Sequence, residues 1–112
     1  MKSILRKLAL LGPALALAVI PASSAFAQEK AAELYKSKCS VCHGADGKAD
    51  TAAGKKMGVK SFSDPEVAGK PDQVWFEVTK KGKGKMPGYD GKLTDDQIKE
   101  LVKYMRGLSK GK

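Results

Sequence analysis

The sequence predicts an all-α fold of three to four helices joined by long loops, and three observations favour it. No alternation of apolar and polar residues is long enough for a β-strand anywhere in the 112 residues. The C-terminal segment carries one apolar stripe at helical spacing behind a capping signature. The segments between the predicted helices are rich in glycine and lysine, which favours exposed loops.

Residues 1–27 are predicted to be a cleaved signal peptide. Three cationic residues open the chain, an apolar run occupies residues 8–20, and Ala-Phe-Ala at residues 25–27 offers a cleavage site. An uncleaved membrane anchor is the alternative, although the apolar run is short for a membrane-spanning helix. Cleavage would leave one small domain, residues 28–112, in the periplasm, with no stable membrane insertion.

The predicted mature chain is lean in apolar residues and basic. Of its 85 residues 29 are apolar, and seven of these are alanines, so the chain buries little hydrocarbon of its own. A large apolar cofactor would supply the missing core. Without the three leader cations, 18 of the 21 lysines and arginines remain against 12 acids, a net charge of +6. A basic surface suits nucleic acid, anionic lipid or an acidic protein, and export argues against nucleic acid.

The first predicted helix covers residues 29–38, which are rich in alanine, glutamate and lysine. Residues 44–54 are small, polar and flexible and are predicted to form a loop. Asp64 is a cap and Pro65 a first helical residue, which together predict one short helical turn.

The second long helix is predicted from Pro71 to about Lys81, with Gly82 as a left-handed stop. Residues 80–89 are too rich in glycine and lysine for regular structure and form an exposed loop. The last helix begins at a capping box in residues 94–97. Its apolar stripe comprises Ile98, Leu101, Val102, Met105 and Leu108.

Both cysteines and the only histidine of the chain lie in the pentapeptide Cys39-Ser40-Val41-Cys42-His43. On a helix, the two thiols would stand on neighbouring turns with the imidazole near the same face. The C-x-x-C-H spacing is the attachment signature of c-type haem, in which the thiols bond to the vinyl groups and the imidazole ligates the iron. The sequence therefore predicts one covalent haem c, held by Cys39, Cys42 and His43.

Other uses of C-x-x-C fit less well. A structural zinc site needs about four ligands, and only carboxylates remain beyond these three residues. A thioredoxin-like redox site would expect strands of a βαβ unit nearby. A simple disulfide suits an oxidising compartment but leaves His43 unexplained.

The iron needs a sixth ligand, and methionine is the remaining candidate because the chain has no second histidine. Met1 leaves with the signal peptide, and Met105 belongs to the C-terminal apolar stripe. Met86 is favoured: it lies in a loop before Pro87, and the glycines around it permit close approach to a flat ligand. Met57, or an open site, is the alternative.

These motifs resemble class I, single-haem c-type cytochromes of the small bacterial kind. The resemblance covers essentially the whole mature chain and rests on the residues 33–35, 39–44 and 82–87 and on the final helix with Leu101, Tyr104 and Met105. It implies a small cytochrome c fold wrapped around one covalently attached haem. The first and last helices would cross, with Leu34 or Tyr35 against Leu101 or Tyr104. It also implies His43 on one haem face and Met86 on the other.

One feature departs from the family. Many relatives carry a proline about ten residues after the ligating histidine, and its carbonyl accepts the histidine's free N–H. Residues 44–54 contain no proline. We still expect a carbonyl of this loop to orient His43, because metal-bound imidazoles usually have such acceptors.

Two strong protein ligands leave no vacant coordination position, and a thioether raises the reduction potential. The sequence therefore predicts a soluble periplasmic electron carrier that is a monomer and not an enzyme. One alternative is a haem-based enzyme or sensor, such as a weak peroxidase or gas binder, in which Met86 is labile. The other is a haem module of a larger oxidoreductase complex.

Lysines precede the predicted ligand loop, and they suggest an acidic redox protein as partner. The alternative is that they only keep an exposed loop soluble. The lysines of this group are Lys80, Lys81, Lys83 and Lys85.

Overall fold

The computed structural model describes residues 22–111, so most of the predicted signal peptide and Lys112 lie outside the described residues. Within this part the chain forms six helices: α1 (Ala22–Lys38), α2 (Ser40–His43), α3 (Ala52–Met57), α4 (Pro65–Ala68), α5 (Asp72–Lys81) and α6 (Asp95–Ser109). Residues 22–111 contain no β-strand and only two isolated bridges. The all-α prediction is confirmed, with three short helices beside the three long ones.

Helix α1 begins earlier than predicted, at Ala22 instead of residue 29. The helix therefore runs through the predicted cleavage site at residues 25–27, and cleavage stays a prediction. Gln28 is tied to the C-terminal helix, since its Nε2 donates to Glu100 Oε2 at 2.6 Å. None of the helices in the described part is both long and apolar enough to cross a membrane.

Helix α3 corrects the prediction that residues 44–54 are entirely loop, because Ala52–Met57 are helical. The Thr51 hydroxyl caps its start by accepting from the Gly54 N–H at 2.9 Å. Gly58, at φ +67° and ψ +33°, closes it in the left-handed conformation. Threonine and glycine at these two positions were the missed signals.

The other predicted helix ends are largely confirmed. The Asp64 side chain caps α4 by accepting from the Glu66 N–H at 2.9 Å. Thr94 and Gln97 form the reciprocal capping box of α6. Gly82 ends α5 with φ +82°, but its ψ of 168° is extended and not left-handed helical.

The core lies where α1 crosses α6, as the family resemblance implies. The Tyr35 and Tyr104 rings have centroids 5.2 Å apart, and Leu34 and Tyr104 pack against the buried core. The stripe of α6 faces inward, with Leu108 partly buried. The buried cluster consists of Tyr35, Cys39, Phe62, Trp75, Leu101, Val102 and Met105.

Arg106 joins the α4–α5 connection to α6. Its guanidinium lies 4.1 Å from the centroid of the Trp75 ring, and its Nε donates to Asp72 Oδ1 at 2.7 Å. Its two terminal nitrogens donate to the carbonyls of Ala68 and Lys70. One side chain of the last helix thus fixes the connection between α4 and α5.

Candidate haem-binding site

Ser40–His43 form α2 and Cys39 is its N-cap, so the two thiols and the imidazole lie within about one helical turn of each other. The Cys39 N–H still donates to the Tyr35 carbonyl at 2.9 Å, so α1 hydrogen bonding extends to this residue. The His43 N–H donates to the Cys39 carbonyl at 3.0 Å. The two cysteines are free thiols. The condition on which the haem prediction depended, a helical segment, is therefore met for residues 40–43, with Cys39 at the junction of α1 and α2.

Burial keeps Cys39 and His43 neutral. Cys39 is 8% exposed, and burial raises the pKa of its thiol to about 11, with Lys38 opposing the shift. Burial lowers the pKa of His43 below its usual 6.5, so the imidazole is neutral at pH 7. A neutral imidazole is the form that ligates iron.

The Nδ1 atom of His43 is buried and has no hydrogen-bond partner within the described residues. The expectation that a carbonyl of residues 44–54 accepts from this histidine is therefore not met. Local carbonyls are engaged elsewhere: Gly44 accepts from the Tyr35 hydroxyl at 2.6 Å, and Gly47 accepts from the Phe62 N–H at 2.9 Å. An unsatisfied buried nitrogen costs about 1–3 kcal/mol, and the imidazole lacks the acceptor that usually orients a metal-bound histidine.

The chain around His43 is held by side-chain contacts to its backbone. The Thr51 hydroxyl donates to the Val41 carbonyl at 2.8 Å, and the Ala49 N–H donates to the His43 carbonyl at 2.8 Å. A Cβ on Gly54 would lie 2.4 Å from the Cys42 carbonyl oxygen, so only glycine permits α3 to pack this closely. On its other side the imidazole stacks on Phe62, with centroids 4.8 Å apart.

Met86 lies in a tight turn between α5 and α6. The Lys83 N–H donates to the Met86 carbonyl at 3.1 Å, and the Met86 N–H donates back to Lys83 at 3.0 Å. The Met86 residue is half-buried, whereas Met57 is 45% exposed on α3. Met105 is buried in the core, as predicted. The loop location of Met86 is confirmed, and its role as ligand stays a prediction.

Tyr89 connects this loop to the attachment pentapeptide, and the sequence analysis did not predict this contact. Its hydroxyl donates to the Lys38 carbonyl, one residue before Cys39, at 3.2 Å. Burial raises the pKa of Tyr89, and the charged forms of Cys39 and Cys42 would raise it further. An aromatic residue three positions after Met86 was the only available signal.

The four lysines before the ligand loop are in two different situations. Lys80 Nζ lies 3.1 Å from Asp95 Oδ1, and Lys81 Nζ lies 3.1 Å from Glu77 Oε2. Lys83 and Lys85 are exposed and make no ion pair within residues 22–111. These last two are the better candidates for a partner surface.

The zinc alternative finds no ligand set in this part of the chain. Within residues 22–111, no group of three or more His, Cys, Asp or Glu side chains has the geometry to hold a metal ion. The residues present fit a haem instead, because its attachment needs two thiols and one imidazole at this spacing and the macrocycle brings the remaining ligands.

Comparisons with known proteins agree with this fit. The family model described as "Cytochrome C oxidase, cbb3-type, subunit III" matches residues 26–105. The Cbb3-type cytochrome c oxidase subunit FixP of Bradyrhizobium diazoefficiens is 26% identical over 95 residues, or 83% of this chain. This chain spans only 31% of the length of FixP. The solved structure titled "KustC0563 c-type cytochrome" is 34% identical with a TM-score of 0.64, covering 70% of this chain and 95% of that one.

Proposed function

Because this chain belongs to the family of c-type cytochrome domains described as cytochrome c oxidase, cbb3-type, subunit III, we propose that it carries single electrons through one covalent haem c. It is a class I c-type cytochrome, and the predicted small cytochrome c fold is confirmed by its likeness to a c-type cytochrome structure. In the proposal Cys39 and Cys42 attach the haem, while His43 and Met86 are the axial ligands.

One observation supports the proposal most strongly. Two free thiols and a partly buried imidazole lie within the five residues from Cys39 to His43, at the junction of α1 and α2. When bound, a haem with histidine and methionine ligands supplies reversible one-electron chemistry at a raised potential. The residues of the chain hold and orient this group, and the Met86 loop closes its second face against outside ligands.

We propose that the protein is a carrier and not an enzyme. The single histidine of the chain is used as a ligand in this assignment. No second imidazole is left to move a proton at an open coordination position. A weak peroxidase or gas sensor would need Met86 to leave, and it would then lack this acid–base group.

We propose a soluble periplasmic protein, and a module of a larger oxidoreductase is the second candidate. One observation favours the second candidate: the family description and FixP both name a subunit of an oxidase. Purification from a periplasmic extract as a stable monomer supports the first. Recovery only in a membrane-bound complex supports the second.

A redox titration followed by optical absorption tests the proposed function. We expect one reversible one-electron transition, a low-spin ferric spectrum and a far-red band from thioether-to-iron charge transfer. A high-spin ferric spectrum at neutral pH would instead support the enzyme or sensor. The measurement needs only the purified holoprotein and no knowledge of its partner.

The lysines before and within the Met86 loop lead to a separate prediction, because we propose that the redox partner is an acidic protein. We expect electron transfer to a small anionic iron complex to slow about tenfold as ionic strength rises from about 10 mM to about 150 mM, because the Debye length falls from about 30 Å to about 8 Å. Lys83→Glu with Lys85→Glu should lower the rate at low salt and flatten this dependence.

The control for that prediction changes the same net charge elsewhere. Lys99 and Lys103 are exposed on α6, outside residues 80–89, and Lys103 Nζ lies 3.8 Å from Glu100 Oε1. Lys99→Glu with Lys103→Glu should leave most of the salt dependence intact. A wild-type rate that is indifferent to ionic strength contradicts a steering role for the loop lysines.

A further inference from the structure

The Met86 loop is a stiff unit with few connections to the attachment side of the molecule. Its turn is closed by the reciprocal bonds between Lys83 and Met86. A Cβ on Gly82 would lie 2.7 Å from the Gly88 nitrogen, so the two arms of the loop are in backbone contact. The unit is fixed to α5, because the Tyr89 N–H donates to the Thr79 carbonyl at 3.0 Å. The base of the loop is therefore anchored to α5.

Between residues 82–93 and residues 25–62, the described part of the chain contains a single hydrogen bond, from the Tyr89 hydroxyl to the Lys38 carbonyl. The two segments carry the two predicted axial ligands of the iron. Their separation thus depends on the shared core and on this one polar contact.

The break between α1 and α2 creates the acceptor that Tyr89 uses. The Cys42 N–H donates to the Cys39 carbonyl at 3.3 Å, three residues back, and not to the Lys38 carbonyl four residues back. The Lys38 carbonyl is thereby left without a helical partner, as at any helix end. The Tyr89 hydroxyl satisfies it at 3.2 Å from across the site.

We propose that Tyr89 is a positioning residue that holds the Met86 loop against the attachment pentapeptide and so sets how readily an outside ligand displaces Met86. This inference rests on the proposed function, because it takes Met86 as the axial ligand. An outside ligand binds only the fraction of molecules in which the loop has moved away. The Tyr89–Lys38 hydrogen bond is broken in that fraction and formed in the rest.

Imidazole titration of the ferric holoprotein tests this role. Tyr89→Phe keeps the ring and deletes only the donor, so the variant is expected to assemble as wild type does. Losing one hydrogen bond should raise the apparent affinity for imidazole about threefold to tenfold. The far-red thioether band, followed in the same titration, should disappear at correspondingly lower imidazole concentration.

Two controls separate a positioning role from a general loss of stability. The Tyr104 hydroxyl makes no hydrogen bond within residues 22–111, so Tyr104→Phe should leave the affinity unchanged. Ser63→Ala deletes a hydrogen bond of the same kind, from the Ser63 hydroxyl to the Ser109 carbonyl at 3.1 Å, which involves neither α5 nor the loop. Any loss of thermal stability in this variant should leave the imidazole affinity unchanged.

The outcomes also distinguish failure of the inference from failure of the proposed function. If Met86→Ala raises imidazole affinity but Tyr89→Phe does not, the Tyr89 role is wrong and the Met86 assignment stands. If either control raises the affinity as much as Tyr89→Phe, the effect is not positional. If wild type lacks the far-red band, the Met86 assignment fails, and the Tyr89 role fails with it.

Discussion

Replacing Met86 by alanine is expected to abolish the far-red charge-transfer band and convert the ferric spectrum from low to high spin. The reduction potential should fall by on the order of 0.2 V, a fraction of the ~0.8 V range that axial ligands span. The cause is the loss of a thioether, which stabilises ferrous over ferric iron. Optical redox titration of the purified variant measures both changes.

Met57→Ala is the matched control for this substitution. Within residues 22–111, Met57 is the other methionine outside the core, and it lies 45% exposed on α3, which packs against α2. Its removal should leave the spectrum and the potential unchanged. If Met86→Ala keeps the wild-type spectrum and Met57→Ala loses it, the ligand assignment moves to Met57.

The double variant Cys39→Ser/Cys42→Ser is expected to lose all covalently bound haem and to become much less stable. Cys39 is part of the buried cluster with Tyr35 and Phe62, so the attachment point belongs to the core itself. The chain has few apolar side chains, so little hydrocarbon is available to fill the volume that the haem would occupy. We expect the thermal midpoint to fall by about 10–20 °C, which corresponds to about 2–3 kcal/mol for a domain of this size.

Haem-specific staining after denaturing electrophoresis and thermal unfolding measure the two effects of the double variant. Ser40→Ala changes the same pentapeptide while sparing both thiols; it removes only an exposed bond from the Ser40 hydroxyl to the Lys36 carbonyl. It should retain haem through denaturation. A double variant that still carries haem through the denaturing gel would show that the thiols are not the attachment points.

The features that sequence predicted well are those encoded locally. The capping box of Thr94 and Gln97 and the apolar stripe from Ile98 to Met105 fix α6 without help from the rest of the chain. Helix α1 has strong helix formers up to Lys38, and α2 follows it after a break at Cys39. The crossing of α1 on α6 came from the family resemblance and not from any pattern in the residues.

Some of the features that sequence missed depend on contacts between distant residues. Tyr89 reaches Lys38 across 51 positions, and Arg106 reaches Asp72 across 34, so no local pattern contains either pair.

Two missed features are local. Helix α3 was not predicted because the two alanines beside Gly54 are small residues typical of a flexible loop, and the Thr51 cap that starts the helix was overlooked. The early start of α1 was hidden because its residues also fit a cleavage site.

The position of His43 shows the same limit. The expected carbonyl acceptor was inferred from relatives that carry a proline in this loop. In this chain the Gly44 carbonyl is taken by Tyr35, a buried side chain from α1. Competition for an acceptor is decided by tertiary packing, which a single sequence does not display.

The central claim is that Cys39, Cys42 and His43 hold one covalent haem, and the mass of the intact purified protein under denaturing conditions tests it most directly. The predicted result is a mass that exceeds that of the polypeptide by one haem, whichever residue is found at the N-terminus. A mass equal to that of the polypeptide alone, from a preparation that shows haem absorption before denaturation, would contradict it.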